Sequence, residues 1–432
     1  MKNLVFKRIA AYGMVMLMAL SLAVFSPVTV RANDIRVIVD GVPVEDSSNE
    51  QTERIELFEL PLIHDTRLAQ ALGGIASRHI SRANAYRMGV SIGIIKNGEV
   101  LYINHGRTNR GGEKITEHTL YELGSITKVF TGILLADLAN KGDVSINDTL
   151  DKYFEMASSN VRLINLATHT SGYPRSVERE YVEEAMSEFL KSNPLSNRPG
   201  TVYEYSNFGM GVLGRVIELV TGKTYNQVVQ ETITHQIGMY NTTTILSSRH
   251  ETLTHATPHD KTGAEGNFMF YLRAIQATGG LKSTAYDMSR FIAANLGSIT
   301  INEGLSDAFS FAMKSHWRKG QNHLGLAWNI SKKFGFTMFE HGGGSNEGHT
   351  SFLIICPQRN AGVIVLANYL SDEASDLVHG IGNDVMKALV EHRLNINTTQ
   401  IGSRLAMQPG DSGFITELKE MEEIEQSIKR NL

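Results

Sequence analysis

Cysteine is nearly missing from this chain: Cys356 is the only one in 432 residues. No disulfide can form within the chain, and no lipid-anchored cysteine follows a leader segment. Cys356 lies in the apolar run SFLIIC, which suits a buried structural thiol better than a nucleophile. An excess of one charge is missing too, since 41 Lys and Arg face 45 Asp and Glu, a net charge of −4 at pH 7. That leaves no basic field for nucleic acid and no acidic tract for a cationic partner. There is no His-Glu-x-x-His or His-x-His cluster and no phosphate-cradling loop ending in Lys-Ser/Thr, so the sequence implies no metal, nucleotide or other cofactor. Internal repeats and low-complexity blocks are also absent. What remains, 42% hydrophobic and 20% charged residues, is a globular composition able to bury a sizeable core and fits small-molecule or peptide chemistry.

The amino terminus reads as a secretory signal over 1–32: MKNLVFKR is basic, AAYGMVMLMALSLAVF is apolar, and Val30 and Ala32 form a small-x-small end. The apolar run is shorter than the ~20 residues a spanning helix needs, so cleavage and export are expected, with no stable membrane span afterwards. Residues 33–86 read as an extension with a short strand pair and a first helix. The main domain is expected over 87–392. Its first feature is a hairpin around Asn97-Gly98 in GVSIGIIKNGEVLYINHG. A helix follows from about Ser125, stopped by Gly142. A helical subdomain spans about 150–290. Strand-like runs GLAWNI, FGFTMFEH, HTSFLIIC and AGVIVLANY come next, then a closing helix over about 371–392. The tail, 393–432, reads as a solvated helix or a disordered end. The fold class expected is α/β (α+β): an antiparallel sheet flanked by helices, with an inserted all-helical subdomain.

Ser125-Ile126-Thr127-Lys128 places a hydroxyl and an amine one turn apart on a single helix face, within mutual reach. A serine hydroxyl is a weak nucleophile until a neighbour takes its proton, and a lysine shielded from water can do so. Alone the spacing is weak, because an N-cap serine followed by a surface lysine looks the same. Eighty residues on, Tyr205-Ser206-Asn207 sits in a turn before a helical run. The tyrosine hydroxyl can relay a proton to a leaving group, and the Asn207 amide can hold both a lysine and a substrate carbonyl.

With YELGSITKVFTGILLADLANKG, LINLATHTSGYP, PGTVYEYSNFGMGVLGRVIE, ATGGLKSTAYDMSRFI and EHGGGSNEGHTSFLIICPQRNAGVIVLAN in this order, the chain resembles the serine β-lactamase and penicillin-binding protein superfamily. Within it the chain resembles the class C β-lactamase-like branch, which also holds D-alanyl-D-alanine carboxypeptidases and esterases. The resemblance implies a β-lactamase/transpeptidase-like fold in which Ser125 is acylated, Lys128 activates it, Tyr205 shuttles protons and Asn207 aligns the acyl chain. It implies substrate binding at His341, Gly342 and Gly343, with an oxyanion hole formed by the amides of Ser125 and Gly344. His169, Glu204 and His349 lie near these segments and are read as supporting residues.

A literal Lys-Thr-Gly occurs elsewhere, at Lys261-Thr262-Gly263 in the turn-rich PHDKTGAEGN, and is read as a coincidence of spelling. The position the resemblance assigns to the third motif is His341-Gly342-Gly343, where class C β-lactamases have lysine in place of His341. An imidazole is mostly neutral at pH 7 unless a neighbour raises its pKa. The expectation is therefore an exported serine hydrolase acting through an acyl-serine on D-amino-acid-containing peptides or small esters. The alternatives are a β-lactamase, or a penicillin-binding sensor without efficient turnover.

Overall fold

A computed structural model describes residues 38–39, 42–43, 59–83, 87–155, 160–176, 183–192, 195–268 and 276–392. The expected signal segment and tail lie outside these described residues. Residues 1–57 and 58–432 form separate units. In the first, β1 (Ile38–Val39) pairs antiparallel with β2 (Val42–Pro43).

The second unit is built on an eight-stranded sheet. Its first hairpin, β3 (Val90–Lys96) and β4 (Glu99–His105), turns at Asn97 (φ 51°) and Gly98 (φ 82°). Those left-handed conformations match the twist of the flanking strands. A two-stranded ribbon pairs β5 (Tyr121–Glu122) with β6 (Lys282–Ser283). The remaining strands are β7 (Trp317–Lys319), β8 (Asn322–Leu324), β9 (Asn329–Lys333), β10 (Phe336–Gly344), β11 (Thr350–Cys356) and β12 (Ala361–Ala367). The sheet order is β4-β3-β12-β11-β10-β9-β8-β7, with every pairing antiparallel.

The longer helices are α1 (Thr66–Arg82), α2 (Thr127–Lys141), α3 (Asn207–Thr221), α4 (Ala285–Asn295), α5 (Glu303–Met313) and α6 (Asp372–Glu391). Side chains alternate across a strand, so Ile92, Ile354 and Val365 pack under α1 and α6 while Leu353, Ile364 and Leu366 pack toward α2 and α4. Covering both faces explains why β11 and β12 are continuous apolar runs, buried at every position. Helix α2 is buried from Thr127 to Leu138, as expected for a helix apolar all round. It ends at Gly142 in the left-handed conformation (φ 80°).

Three details differ from the sequence reading. Ser125 lies in a 3-10 turn, Gly124–Ile126, ahead of the α-helix. The strand expected in GLAWNI starts only at Asn329, because Ala327 takes φ 59° and breaks the extended run. The short, polar β7 and β8 lacked an apolar signature, as suits strands at a sheet edge.

Candidate active site

Ser125 and the strand ending at Gly344 meet through backbone. Gly124 has φ 53°, and a Cβ there would sit 2.6 Å from the Gly344 nitrogen. At Gly343 a Cβ would overlap the Leu123 carbonyl and the Ser351 hydroxyl, which are joined by a 2.9 Å hydrogen bond. Only glycine fits at either position. The space at Gly343 is thus filled by the protein itself. Gly342 faces the other way, 3.2 Å in Cβ terms from His379 Nε2 on α6. The smallness of Gly124 and Gly343 permits the nucleophile turn to dock on β10, with Gly124 against the Gly344 backbone.

Lys128 is fully buried, unlike the surface lysine of a mere N-cap pattern. Its Nζ donates to Ser125 Oγ at 2.9 Å and to the Thr278 carbonyl at 2.6 Å. Tyr205 lies against the same group, with Nζ 5.0 Å from its ring centroid. Burial pushes the Tyr205 phenol up to about 12, partly offset by a hydrogen bond with Ser125. It is therefore a protonated donor at neutral pH. Asn207 opens α3 behind the N-cap Ser206, whose Oγ accepts from Gly209 N at 2.8 Å. Asn207 Oδ1 is buried with no hydrogen-bond partner. The grip on Lys128 expected of this amide is not made through that oxygen.

His341 lies on β10, 4% exposed. Burial, then the charge of Lys128, lowers its pKa to about 4, so the ring is neutral at pH 7. Its Nδ1 lies 2.7 Å from the Gly342 carbonyl. A carbonyl only accepts, so Nδ1 carries the proton and Nε2 is left as an acceptor.

His169 is a residue that sequence reasoning underweighted. It is buried, holds φ 54° and packs against Tyr205 with ring centroids 4.3 Å apart and planes tilted by 33°. Burial, Lys128 and His341 hold it well below its ordinary pKa. Its Nδ1 accepts from Ser206 N at 3.2 Å, which fixes the ring that backs the tyrosine. His349 and Glu122 form a buried pair, Nδ1 to Oε2 at 3.3 Å, while His349 Nε2 donates to the Ala256 carbonyl at 3.0 Å. That pair links the strand leading to Ser125 with the turn leaving Gly344. Glu204 accepts from Ser196 at 2.7 Å and braces its own loop. Lys261-Thr262-Gly263 is an exposed turn, closed by Asp260 accepting from Thr262 N (2.8 Å) and Ala264 N (3.0 Å). Among the described residues no group of three or more His, Cys, Asp or Glu could hold a metal ion, and no helix is long and apolar enough to cross a membrane.

A buried amine on a serine hydroxyl, a protonated tyrosine beside both, and this sheet-and-helix frame define a serine hydrolase. A family model described as Beta-lactamase matches residues 76–381, and the chain belongs to the beta-lactamase family. A "Beta-lactamase" of Psychrobacter immobilis is 27% identical over 250 residues, covering 56% of this chain and 62% of that relative, under two thirds of its length. A "Beta-lactamase" of Escherichia coli (strain K12) is 25% identical over 320 residues, covering 65% of this chain and 84% of the relative. The solved beta-lactamase/D-alanine carboxypeptidase of Pseudomonas syringae shares the fold, with TM-score 0.66 at 22% identity over 72% of this chain and 98% of that one.

Proposed function

We propose that this protein is an exported acyl-serine hydrolase acting on small esters or D-amino-acid-containing peptides, with β-lactams as poor substrates. Ser125 attacks the carbonyl while its proton passes to Lys128, which in its neutral form keeps one N–H on the Thr278 carbonyl and turns its lone pair to the hydroxyl. The amides of Ser125 and Gly344 receive the developing oxyanion; removing one such donor costs about 3 kcal/mol in enzymes of this kind. Tyr205, protonated, passes a proton to the leaving oxygen or nitrogen. Water then attacks the acyl carbonyl, giving its proton to the Tyr205 oxygen, while Lys128 returns its proton to the departing Ser125 oxygen, which restores all three groups. Export rests on the signal-like residues 1–32.

The observation that carries the substrate ranking is the neutral His341, whose Nε2 is an acceptor. A penicillin carboxylate meets there neither a cation nor a donor, and the free terminal carboxylate of a D-alanyl-D-alanine peptide meets the same, whereas an ester or a D-amino-acid peptide without a free carboxylate asks for neither. The relatives named beta-lactamase support the chemistry of the acyl-enzyme rather than the choice of acyl donor. Protein mass and product release are followed together with a p-nitrophenyl butyrate ester, a carboxyl-amidated D-alanyl-D-alanine peptide and a fluorescent penicillin. Steady ester or peptide turnover, with slow penicillin turnover, and loss of both adduct and turnover in Ser125→Ala are expected. Penicillin turnover faster than that of ester and peptide would reverse the ranking, and an unimpaired Ser125→Ala protein would sink the mechanism.

A further inference from the structure

A cavity of about 940 Å³ lies away from Ser125 against the loop that follows β4. Four permanent cations line it, Arg87, Arg107, Arg110 and Lys114, and a single carboxylate, Glu265. Elsewhere the protein is acidic, since the whole chain carries −4. Like charges gathered around one cavity make it a place of positive potential that attracts anions from solution.

The loop carrying three of them, Arg107, Arg110 and Lys114, is firmly built. Gly106 (φ 79°) and Gly111 (φ 84°) supply its left-handed turns. Thr108 N bonds Glu113 O at 2.9 Å, and Arg107 Nη1 reaches the Gly112 carbonyl at 2.7 Å. Asn368, fully buried, ties the loop to the sheet by donating to the Thr108 and Thr257 carbonyls at 2.8 and 2.9 Å and accepting from Gly89 N at 2.6 Å. The opposite wall is flat: the rings of His259 and Tyr369 stack at 4.5 Å and 2°. His105 also lines the cavity, and its Nε2 is buried without a hydrogen-bond partner.

The cavity opens at the same end of the sheet as the nucleophile. His105, Val90, Ala367, Thr350 and Gly344 are successive cross-strand partners. Four steps of ~4.8 Å put it roughly 19 Å from Gly344, too far to belong to the acyl site. We propose that this cavity binds a ligand bearing two or more carboxylate or phosphate groups, at a site separate from Ser125.

The test is calorimetric titration of the whole protein with inorganic pyrophosphate and, separately, with citrate, at low salt. The comparison variant is Arg110→Glu with Lys114→Glu, both exposed positions, and Arg110→Gln with Lys114→Gln serves if the reversal impairs folding. Saturable binding that weakens at least about tenfold in the variant, and weakens as salt rises, is expected. Tighter pyrophosphate than citrate identifies a phosphate-bearing ligand and the reverse a carboxylate-bearing one; either result supports the site. No saturable binding of either anion, or binding unchanged in the variant, would overturn it.

Discussion

Two regions of this molecule carry the ingredients of one motif and use them oppositely. Lys261-Thr262-Gly263 has the spelling, but it hangs in an exposed turn held by Asp260. His341-Gly342-Gly343 lacks the lysine, yet its strand abuts the Ser125 turn so closely that only glycine fits at Gly343 and Gly124. What distinguishes a functional motif is the backbone that presents it, and the side chain is the negotiable part.

The comparison breaks most sharply at Gly343. A Gly343→Val change pushes side-chain carbon into the Leu123 carbonyl and Ser351 hydroxyl, prying the Ser125 turn from Gly344. Loss of an aligned oxyanion donor predicts a drop in kcat of about a hundredfold or more, with about 1–3 kcal/mol of overpacking strain. Ester kinetics and urea unfolding on the same preparation check both. Activity within twofold of the parent would mean that the strand does not set the geometry of the site.

The second contrast is electrostatic. His341 titrates near 4 in the folded chain and near 6.5 when unfolded. From pH 6.5 down to 4 the unfolded chain binds more protons, so this contribution to stability is whole above about 6.5 and is lost as the pH falls to 4. It amounts to about 3 kcal/mol, and His169, shifted the same way by burial, adds to the trend. Denaturant unfolding at pH 7.5 and 4.5 should show a smaller acid loss in His341→Gln than in the parent. Equal losses would mean that His341 is protonated in the fold.

A smaller effect is expected from restoring charge at this strand. His341→Lys gives the site the cation that a β-lactam carboxylate asks for, at the cost of crowding Lys128. The ratio of penicillin to ester kcat/KM should rise about tenfold, near 1.4 kcal/mol of discrimination. An unchanged ratio would place carboxylate recognition elsewhere.

The sequence disclosed what depends on residue type and local spacing. The β11 and β12 runs are apolar on both faces and could hardly be anything but central strands. Ser125 and Lys128, three apart, meet at 2.9 Å as a helix face demands. It could not disclose what depends on backbone atoms or distant pairing. The Thr278 carbonyl that takes the second Lys128 proton has no signature in residue type. The link from Glu122 to His349 joins residues 227 apart in the chain. Asn207 was given a lysine contact from its type, yet its Oδ1 is buried without a hydrogen-bond partner, because residue type does not say how far a side chain stands from a distant neighbour.

The last comparison is the quietest. Lys261→Ala deletes the literal motif's own cation while sparing the Asp260 carboxylate, to which Thr262 N, Thr262 Oγ1 and Ala264 N donate to make the turn. An exposed lysine outside such features contributes within about 0.5 kcal/mol of stability, so Tm should stay within about 2 °C of the parent, and ester and penicillin kcat/KM within about twofold. The outcome separates two kinds of recognition. If acylation ignores Lys261 and responds to His341→Lys, position beside the nucleophile alone makes the motif. A tenfold fall in penicillin acylation in Lys261→Ala would instead bring this turn over the acyl site when substrate binds, and the sequence's literal spelling would have been the better guide.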